Sequence, residues 1–333
     1  MNHNRISVSA FSLRTLRLCG KQLRVSIHGR GARYAKITRK ISLSVLTLAI
    51  AVVSLFIVPM QGRNATVQKA AAGTALVCVI SRNEPEDAQA NMDAVVLVAK
   101  GKLRQPFPEY NEAAQQTFGK KYFATGNNYR VTFGGGEVGS ATLTGFDTGC
   151  NNIHAKANLK DNGKIPPHLS ALATDSDLLG RKPTARRAPT QIERDAVMKL
   201  VNRVYTSHQT AGTLLRSMTT TNLTATDLDG DGKFEMIGSF VIQTAAKARR
   251  DLFLIAEPGG GDFKVALEKF QAYHLPPEQF DSAIDFVDQL DLDGDGVGEV
   301  FVQQHGFDAY GYAIYKKTRG RWLQVFTTTG DAC

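Results

Sequence analysis

Carboxylates at a regular spacing occur twice in the C-terminal third of the chain, each time beginning with the hexapeptide DLDGDG. Acidic side chains stand at positions 1, 3, 5 and 9 of each copy, and glycines between them permit the positive φ angles of a tight loop. Such a loop points its acids at one centre, where the carbonyl of position 7 can join them. Hard oxygen ligands suit Ca²⁺, which accepts about six to eight. The predicted ligands are Asp227, Asp229, Asp231, the carbonyl of Lys233 and Glu235 in the first loop, and Asp291, Asp293, Asp295, the carbonyl of Val297 and Glu299 in the second.

The spacing excludes an EF-hand. That loop requires a bidentate Glu at position 12, where the two copies have Gly238 and Val302. The remaining alternative is a solvated Asp/Gly turn that binds nothing. We favour two calcium sites because the whole pattern is repeated, and because the four carboxylates of one loop repel one another unless a cation lies between them. Removal of the metal is then expected to loosen this region.

Strand-like runs surround both loops, with one run before each hexapeptide and three after it. Together with the pattern D-x-D-x-D-x-x-x-D/E, they resemble the calcium-binding hairpins of FG-GAP/VCBS-type repeats, the blades of integrin-α-like propellers. The resemblance covers about residues 217–328 and implies a calcium-binding β domain of two propeller-blade-like repeats. Position 9 is Glu where the family more often has Asp. Two copies are too few to close a propeller, so we expect a compact two-blade sandwich, to which strands from 74–160 add.

The N-terminus has a different character. Residues 1–40 contain ten Lys or Arg and no acid, and residues 41–62 are uncharged and mostly apolar. As a helix, the run 41–58 covers about 27 Å, close to the thickness of a bilayer core. The basic flank predicts a cytoplasmic N-terminus and a periplasmic or extracellular body. The alternatives are a cleavable secretory signal and an organellar transit peptide.

The net charge of +9 belongs to this tail, because the rest of the chain has 30 basic and 31 acidic residues. We therefore expect no nucleic-acid partner for the body. The tail lacks the interleaved aromatic residues that stack on bases, and its expected roles are to set topology and to attract anionic lipid.

The expected fold class is mainly β (α+β), a single transmembrane helix followed by a β-rich ectodomain. Thr190 and Glu193 form a capping-box pattern at the start of an apolar-periodic segment, which predicts a packing helix. The predicted segments are a basic cytoplasmic tail (1–40), a transmembrane anchor (41–62), a stalk (63–73), an N-terminal β unit (74–160), a Pro- and Arg-containing linker (161–189), a helix (190–210) and the two-repeat domain (217–328).

Three cysteines, Cys78, Cys150 and Cys333, would lie in a compartment that permits disulfides, so at most one bridge forms among them. Cys78 stands in an apolar run and fits a plain buried thiol equally well. Their pairing stays open at this point.

Two functions from different classes fit these features. The first is a membrane-anchored, extracytoplasmic calcium-binding module that binds a protein, an envelope component or a glycan. The second is an exported hydrolase that uses calcium structurally, with catalytic acids that the sequence does not identify. Aromatic residues that alternate along two strands are typical of a core, and an exposed subset would make a glycan or peptide platform. They are Phe307, Tyr310, Tyr312, Tyr315, Trp322 and Phe326.

Overall fold

The computed structural model describes most of the chain beyond residue 72, and these residues belong to one compact unit, Ala65–Cys333. The predicted tail (1–40), membrane anchor (41–62) and nearly all of the stalk (63–73) lie outside the described residues. Among the helices that are described, none has the length and apolarity needed to cross a bilayer. The described ranges are 73–82, 88–108, 110–149, 152–245, 248–273, 283–306, 309–328 and 331–332.

The first part of this unit is an antiparallel barrel. Its strands are β1 (Thr74–Arg82), β2 (Gln89–Ala99), β3 (Lys102–Arg104), β4 (Asn128–Phe133), β5 (Gly136–Gly149), β6 (Asn152–Lys160) and β7 (Ala171–Thr174). Six of them close in the order β1-β7-β4-β5-β6-β2, because β2 also pairs with β1. The short β3 extends from the end of β2.

Side-chain alternation fills the barrel. Along β6, Ile153, Ala155, Ala157 and Leu159 point into the core, while the residues between them are polar. Strand β1 is apolar on both faces. Cys78 points inward, fully buried and unpaired, whereas Val77 and Val79 point outward and pack against another sheet. Cys150 and Cys333 lie outside the described residues.

Helix α1 (Glu112–Tyr122) packs on the barrel strands β5 and β6. The side chain of Asn111 caps its first turn by accepting a hydrogen bond from the N–H of Ala114 at 2.9 Å. Phe118 enters the barrel core, and a β-carbon on Gly119 would lie 2.5 Å from the ring of Phe146. This helix therefore belongs to the barrel's packing.

Residues 161–189 differ from the linker predicted for them. Their apolar stretch is β7, which is buried along its whole length and hydrogen-bonded between β1 and β4. Farther along, Arg186–Arg187 form a short strand, β8. The prolines that suggested a linker flank these strands without entering them. The N-terminal β unit thus extends to Thr174 instead of ending at 160.

Two antiparallel sheets follow, and in each the strands after the hexapeptide lie where the apolar runs predict them. We call the sheet of strands within residues 186–273 the first repeat sheet and the sheet of strands within residues 283–332 the second repeat sheet. Hydrogen bonding follows chain order throughout the first repeat sheet. In the second it does so except for the short last strand, which pairs with the third strand. The remaining strands are β9 (Thr219–Thr226), β10 (Glu235–Ala245), β11 (Ala248–Gly259), β12 (Asp262–Tyr273), β13 (Ala283–Leu290), β14 (Glu299–His305), β15 (Ala309–Thr318), β16 (Arg321–Thr327) and β17 (Asp331–Ala332).

The predicted capping box is confirmed. Helix α2 (Gln191–Ser207) begins after Thr190, whose side chain accepts from the N–H of Glu193 while the Glu193 carboxylate accepts from the N–H of Thr190. A 3₁₀ turn, Leu214–Ser217, then leads into β9.

The elements stack in layers: α2, the first repeat sheet, the second repeat sheet and the barrel. Along β11, Leu252 and Leu254 face α2, whereas Phe253 faces the second repeat sheet. Along β15, Tyr315 faces the first repeat sheet and Ile314 faces the barrel. Each sheet is thus apolar on both faces, because it is covered on both.

The mainly-β class is confirmed, but the blade arrangement is not. The strands within residues 74–174 form a barrel and not further blades, so the described residues form no propeller. Among the aromatic residues considered as a platform, Tyr312, Tyr315 and Trp322 are buried in the core. Tyr310 and Phe326 are half-buried, and Phe307 lies outside the described residues.

Candidate metal centre

The two acidic loops occupy equivalent places in the two repeat sheets. Loop 1 (227–235) joins β9 to β10, and loop 2 (291–299) joins β13 to β14. Both are loops between antiparallel strands, which agrees with the exclusion of an EF-hand. Glycines at positions 4 and 6 have φ angles of 73° and 83° in loop 1, and 78° and 95° in loop 2. Residues other than Gly rarely adopt positive φ angles, so the glycines allow the tight bend of each loop backbone.

The first Asp of each loop organises the backbone in the same way. In loop 1, the Asp227 carboxylate accepts from the N–H groups of Gly230 at 2.8 Å and Gly232 at 3.0 Å. In loop 2, Asp291 accepts from Gly294 at 2.8 Å and Gly296 at 3.1 Å. Each of these oxygens has a second lone pair for a cation. At Asp291 Oδ2 the ammonium of Lys182 lies 3.2 Å away.

The Glu at position 9 is held by a hydrogen bond from the backbone N–H of position 2 of the same loop. Glu235 Oε2 accepts from the N–H of Leu228 at 2.9 Å, and Glu299 Oε2 accepts from Leu292 at 2.7 Å. Both glutamates are nearly buried, with residue exposures of 5% and 3%. Burial raises the pKa of each to about 7, and neighbouring aspartates add to the rise. Burial therefore disfavours the charged form of both glutamates.

Carboxylates converge in both loops. Oxygen atoms of Asp227, Asp229 and Asp231 lie within 4.8 Å of one another in loop 1. The corresponding group in loop 2 consists of Asp291, Asp293 and Glu299. Such a set of hard, anionic oxygens fits a hard divalent cation.

Loop 2 also contains an unpaired oxygen. Asp293 Oδ1 is buried and has no hydrogen-bond partner among the described residues. A buried carboxylate oxygen without a donor is costly, and a cation in the loop would satisfy it.

A lysine lies among the carboxylates of loop 2. Lys316 Nζ on β15 is 2.8 Å from Asp293 Oδ2, 2.8 Å from Asp295 Oδ2 and 2.7 Å from Glu299 Oε1. Burial alone would lower the pKa of Lys316, but the hydrogen bonds to these carboxylates outweigh it and raise the pKa. Lys182 approaches from another side and donates to the carbonyl of Gly296 at 2.7 Å.

The only lysine within loop 1 makes a weaker contact. Lys233 Nζ reaches Asp231 Oδ2 at 2.8 Å, and its side chain is 69% exposed. An exposed pair of this kind is easily replaced by solvent or by another ion.

The loops lie side by side. The N–H of Gly298 donates to the carbonyl of Leu228 at 2.7 Å, and Gln289 Nε2 donates to the carbonyl of Asp227 at 3.4 Å. These two hydrogen bonds connect the second repeat sheet and loop 2 to the backbone of loop 1.

The structure thus brings together the predicted acids of each loop, with two differences. Glu235 is bound to the loop 1 backbone and does not belong to the group of three, and Asp295 in loop 2 pairs with Lys316. Sequence reasoning missed Lys316 and Lys182, because both come from other segments. The pairing of β14 with β15 is the signal that would have found Lys316.

Comparisons with known proteins give no relative. No family model matches the chain, and no curated protein and no solved structure shows a significant match.

Proposed function

We propose that this protein is a membrane-anchored, extracytoplasmic calcium-binding module of the FG-GAP/VCBS type, with one Ca²⁺ in each loop. The observation that carries the proposal is the repetition of one geometry. In both loops a first Asp accepts two glycine N–H groups and a ninth-position Glu accepts a third N–H. These bonds hold the loop backbone, and three carboxylates of each loop converge on it. A solvated turn has no need of this repeated arrangement.

Calcium is favoured over other cations by the ligand chemistry. The predicted set contains carboxylates and carbonyls but no His or Cys, which zinc and copper prefer. Magnesium demands a smaller, near-octahedral shell and keeps several waters. The unpaired Asp293 Oδ1 is a ligand position that a cation would fill in loop 2. Burial raises the pKa of both glutamates, and a bound cation would oppose that rise.

The membrane assignment is supported by residues 41–62 and by the basic residues before them. In the proposal, the N-terminus is cytoplasmic and the layered β unit lies in the periplasm or outside the cell. Its partner is a protein or an envelope component. Leu323 and Val325 on β16 are 46% and 42% exposed and offer apolar contact for it.

An exported hydrolase remains the second candidate because of one cavity. A space of about 360 Å³ lies between the two repeat sheets, and Asp251, Glu268 and Ser239 are among the residues that line it. Burial raises the pKa of Asp251 above its usual range, as in many general acids. The test is turnover of chromogenic glycoside, ester and peptide substrates by the full chain, with Asp251→Asn as control. Turnover that Asp251→Asn abolishes would favour the hydrolase.

The calcium proposal is tested by thermal unfolding of the full-length protein in detergent. The single tryptophan, Trp322, is a suitable probe, since its indole N–H bonds Glu257 across the two repeat sheets at 3.2 Å. Calcium at about a hundred times its Kd stabilises a one-site protein by about 2.7 kcal/mol. In a protein of this size, that corresponds to a rise of roughly 5–10 °C in the midpoint.

The matched variants are Asp229→Asn with Asp293→Asn, which remove one ligand from each loop, and Asp147→Asn, an exposed barrel carboxylate with a side-chain exposure of 69%. The double variant should lose the calcium-dependent rise, and Asp147→Asn should keep it. A midpoint that is the same in calcium and in chelator would refute the proposal.

A further inference from the structure

Lys316 takes the place of a cation in loop 2. Its ammonium lies within 2.8 Å of oxygens from three different carboxylates, and its side chain is only 23% exposed. One of these carboxylates, Glu299, is almost fully buried. Charge-assisted hydrogen bonds of this length are the stronger class. A calcium ion bound by the same oxygens would have to displace the ammonium, because both need the same lone pairs.

Strand pairing explains how the lysine reaches this position. Val300 of β14 pairs with Tyr315 of β15, so Glu299 and Lys316 are the next pair along the ladder. Both side chains lie on the face of the sheet that packs against the barrel, together with Phe301 and Ile314.

The equivalent position beside loop 1 has the opposite charge. Met236 of β10 pairs with Ala256 of β11, so the residue opposite Glu235 is Glu257. Glu257 is itself paired with Lys317, which comes from the second repeat sheet, at 2.9 Å. Loop 1 therefore has no lysine on the strand opposite its Glu, and its own Lys233, whose side chain is 69% exposed, bonds one carboxylate, the exposed Asp231.

We infer that the two loops are unequal calcium sites: loop 1 is open to the ion, whereas Lys316 acts as an internal competitor that keeps loop 2 closed at low calcium. This inference rests on the proposed function. In the calcium-free protein, Lys316 neutralises part of the loop 2 charge and keeps the hairpin folded. Loop 2 then binds calcium only at concentrations high enough to release the lysine, so the protein responds to calcium in two steps.

The test isolates loop 2 in the full-length protein. Asp229→Asn with Asp231→Asn removes two loop 1 ligands, and calcium binding to the remaining loop is measured by isothermal titration. Lys316→Met is then added, with Lys317→Met as the matched control on the adjacent residue of the same strand. If Lys316 is released from the loop 2 carboxylates in roughly one molecule in ten, Lys316→Met should raise the calcium affinity of loop 2 about tenfold. Lys317→Met should leave its affinity unchanged.

A second measurement guards against a folding defect. Without calcium, Lys316→Met leaves three carboxylates unneutralised, so its thermal midpoint in chelator should fall below that of the parent. Added calcium should restore the midpoint. Lys316→Gln, which is also uncharged, should behave in the same direction.

The outcomes separate the two proposals. Unchanged loop 2 affinity in both Lys316 variants, with calcium still bound, overturns the competitor role and leaves the calcium module intact. Failure of calcium to restore the lost midpoint likewise overturns the competitor role. Absence of calcium binding in the unmodified chain and in every variant removes the proposed function, and the inference falls with it.

Discussion

Arg186 joins three of the layers, and its removal should strongly destabilise the protein. The side chain is 4% exposed and belongs to β8 of the first repeat sheet. Its Nη1 donates to the carbonyl of Val287 at 2.6 Å and to Asp288 Oδ1 at 3.3 Å, both in the second repeat sheet. The guanidinium lies 4.5 Å from the ring centres of Phe133 and Phe286. Asp288 is fully buried, and its carboxylate also accepts from the N–H of Gly134 in the barrel at 2.9 Å.

Arg186→Met should lower the free energy of unfolding by about 3–5 kcal/mol, since removing one partner leaves the charge of buried Asp288 uncompensated. For a protein of this size, the midpoint falls by roughly 10 °C. Adding Asp288→Asn to this variant removes the uncompensated carboxylate and keeps an amide oxygen that accepts from the N–H of Gly134. The double variant should therefore lose less than the sum of the two single losses, by about 1 kcal/mol or more.

The loss of stability caused by Arg186→Met should also depend on pH. Burial raises the pKa of Asp288 to about 6, although Arg186 opposes the shift. A carboxyl whose pKa is higher in the folded state than in the unfolded state favours folding at low pH, and this contribution is lost as the pH rises through the folded pKa. Without Arg186 the pKa rises further, so the difference between Arg186→Met and the parent should be larger at pH 8 than at pH 5.5.

Urea unfolding followed by Trp322 fluorescence and by circular dichroism measures these differences. The parent, both single variants and the double variant are compared at the two pH values. A loss below about 1 kcal/mol for Arg186→Met, or additive losses in the double variant, would show that the pair does not hold the layers together.

Three further changes have expected outcomes. Thr190→Ala removes the α2 cap and should cost about 1 kcal/mol in urea unfolding; a loss below about 0.3 kcal/mol would contradict the capping role. Gly139→Ala would put a β-carbon 2.0 Å from the carbonyl oxygen of Lys160, so it should distort the β5–β6 pairing and lower the thermal midpoint. Gly145→Ala is the control and should lower the midpoint less, because the space around Gly145 is open. The buried thiol of Cys78, whose pKa is raised by burial, should react with an alkylating reagent only as fast as the protein unfolds, as peptide mass spectrometry would show.

The repeat sheets could be predicted from local patterns, whereas the barrel could not. Each DLDGDG turn has apolar runs on both sides, and these runs are the strands of the structure. Closure of the barrel depends on the pairing of β1 with β7, for example Val77 with Thr174, which are nearly a hundred residues apart. A four-residue strand between prolines carries little periodic signal. The segment 161–189 therefore has the composition of a linker although part of it is core.

The difference between the two acidic loops depends on strand register. Lys316 and Lys317 are neighbours, and alternation sends them to opposite faces of the second repeat sheet. Lys316 turns to loop 2 and Lys317 turns to Glu257, beside loop 1. A shift of β15 by one residue against β14 would place Tyr315 or Lys317 beside Glu299 and also turn Ile314 away from the barrel core. The apolar faces of β15 thus fix its register, and the same register places the ammonium of Lys316 among the carboxylates of loop 2.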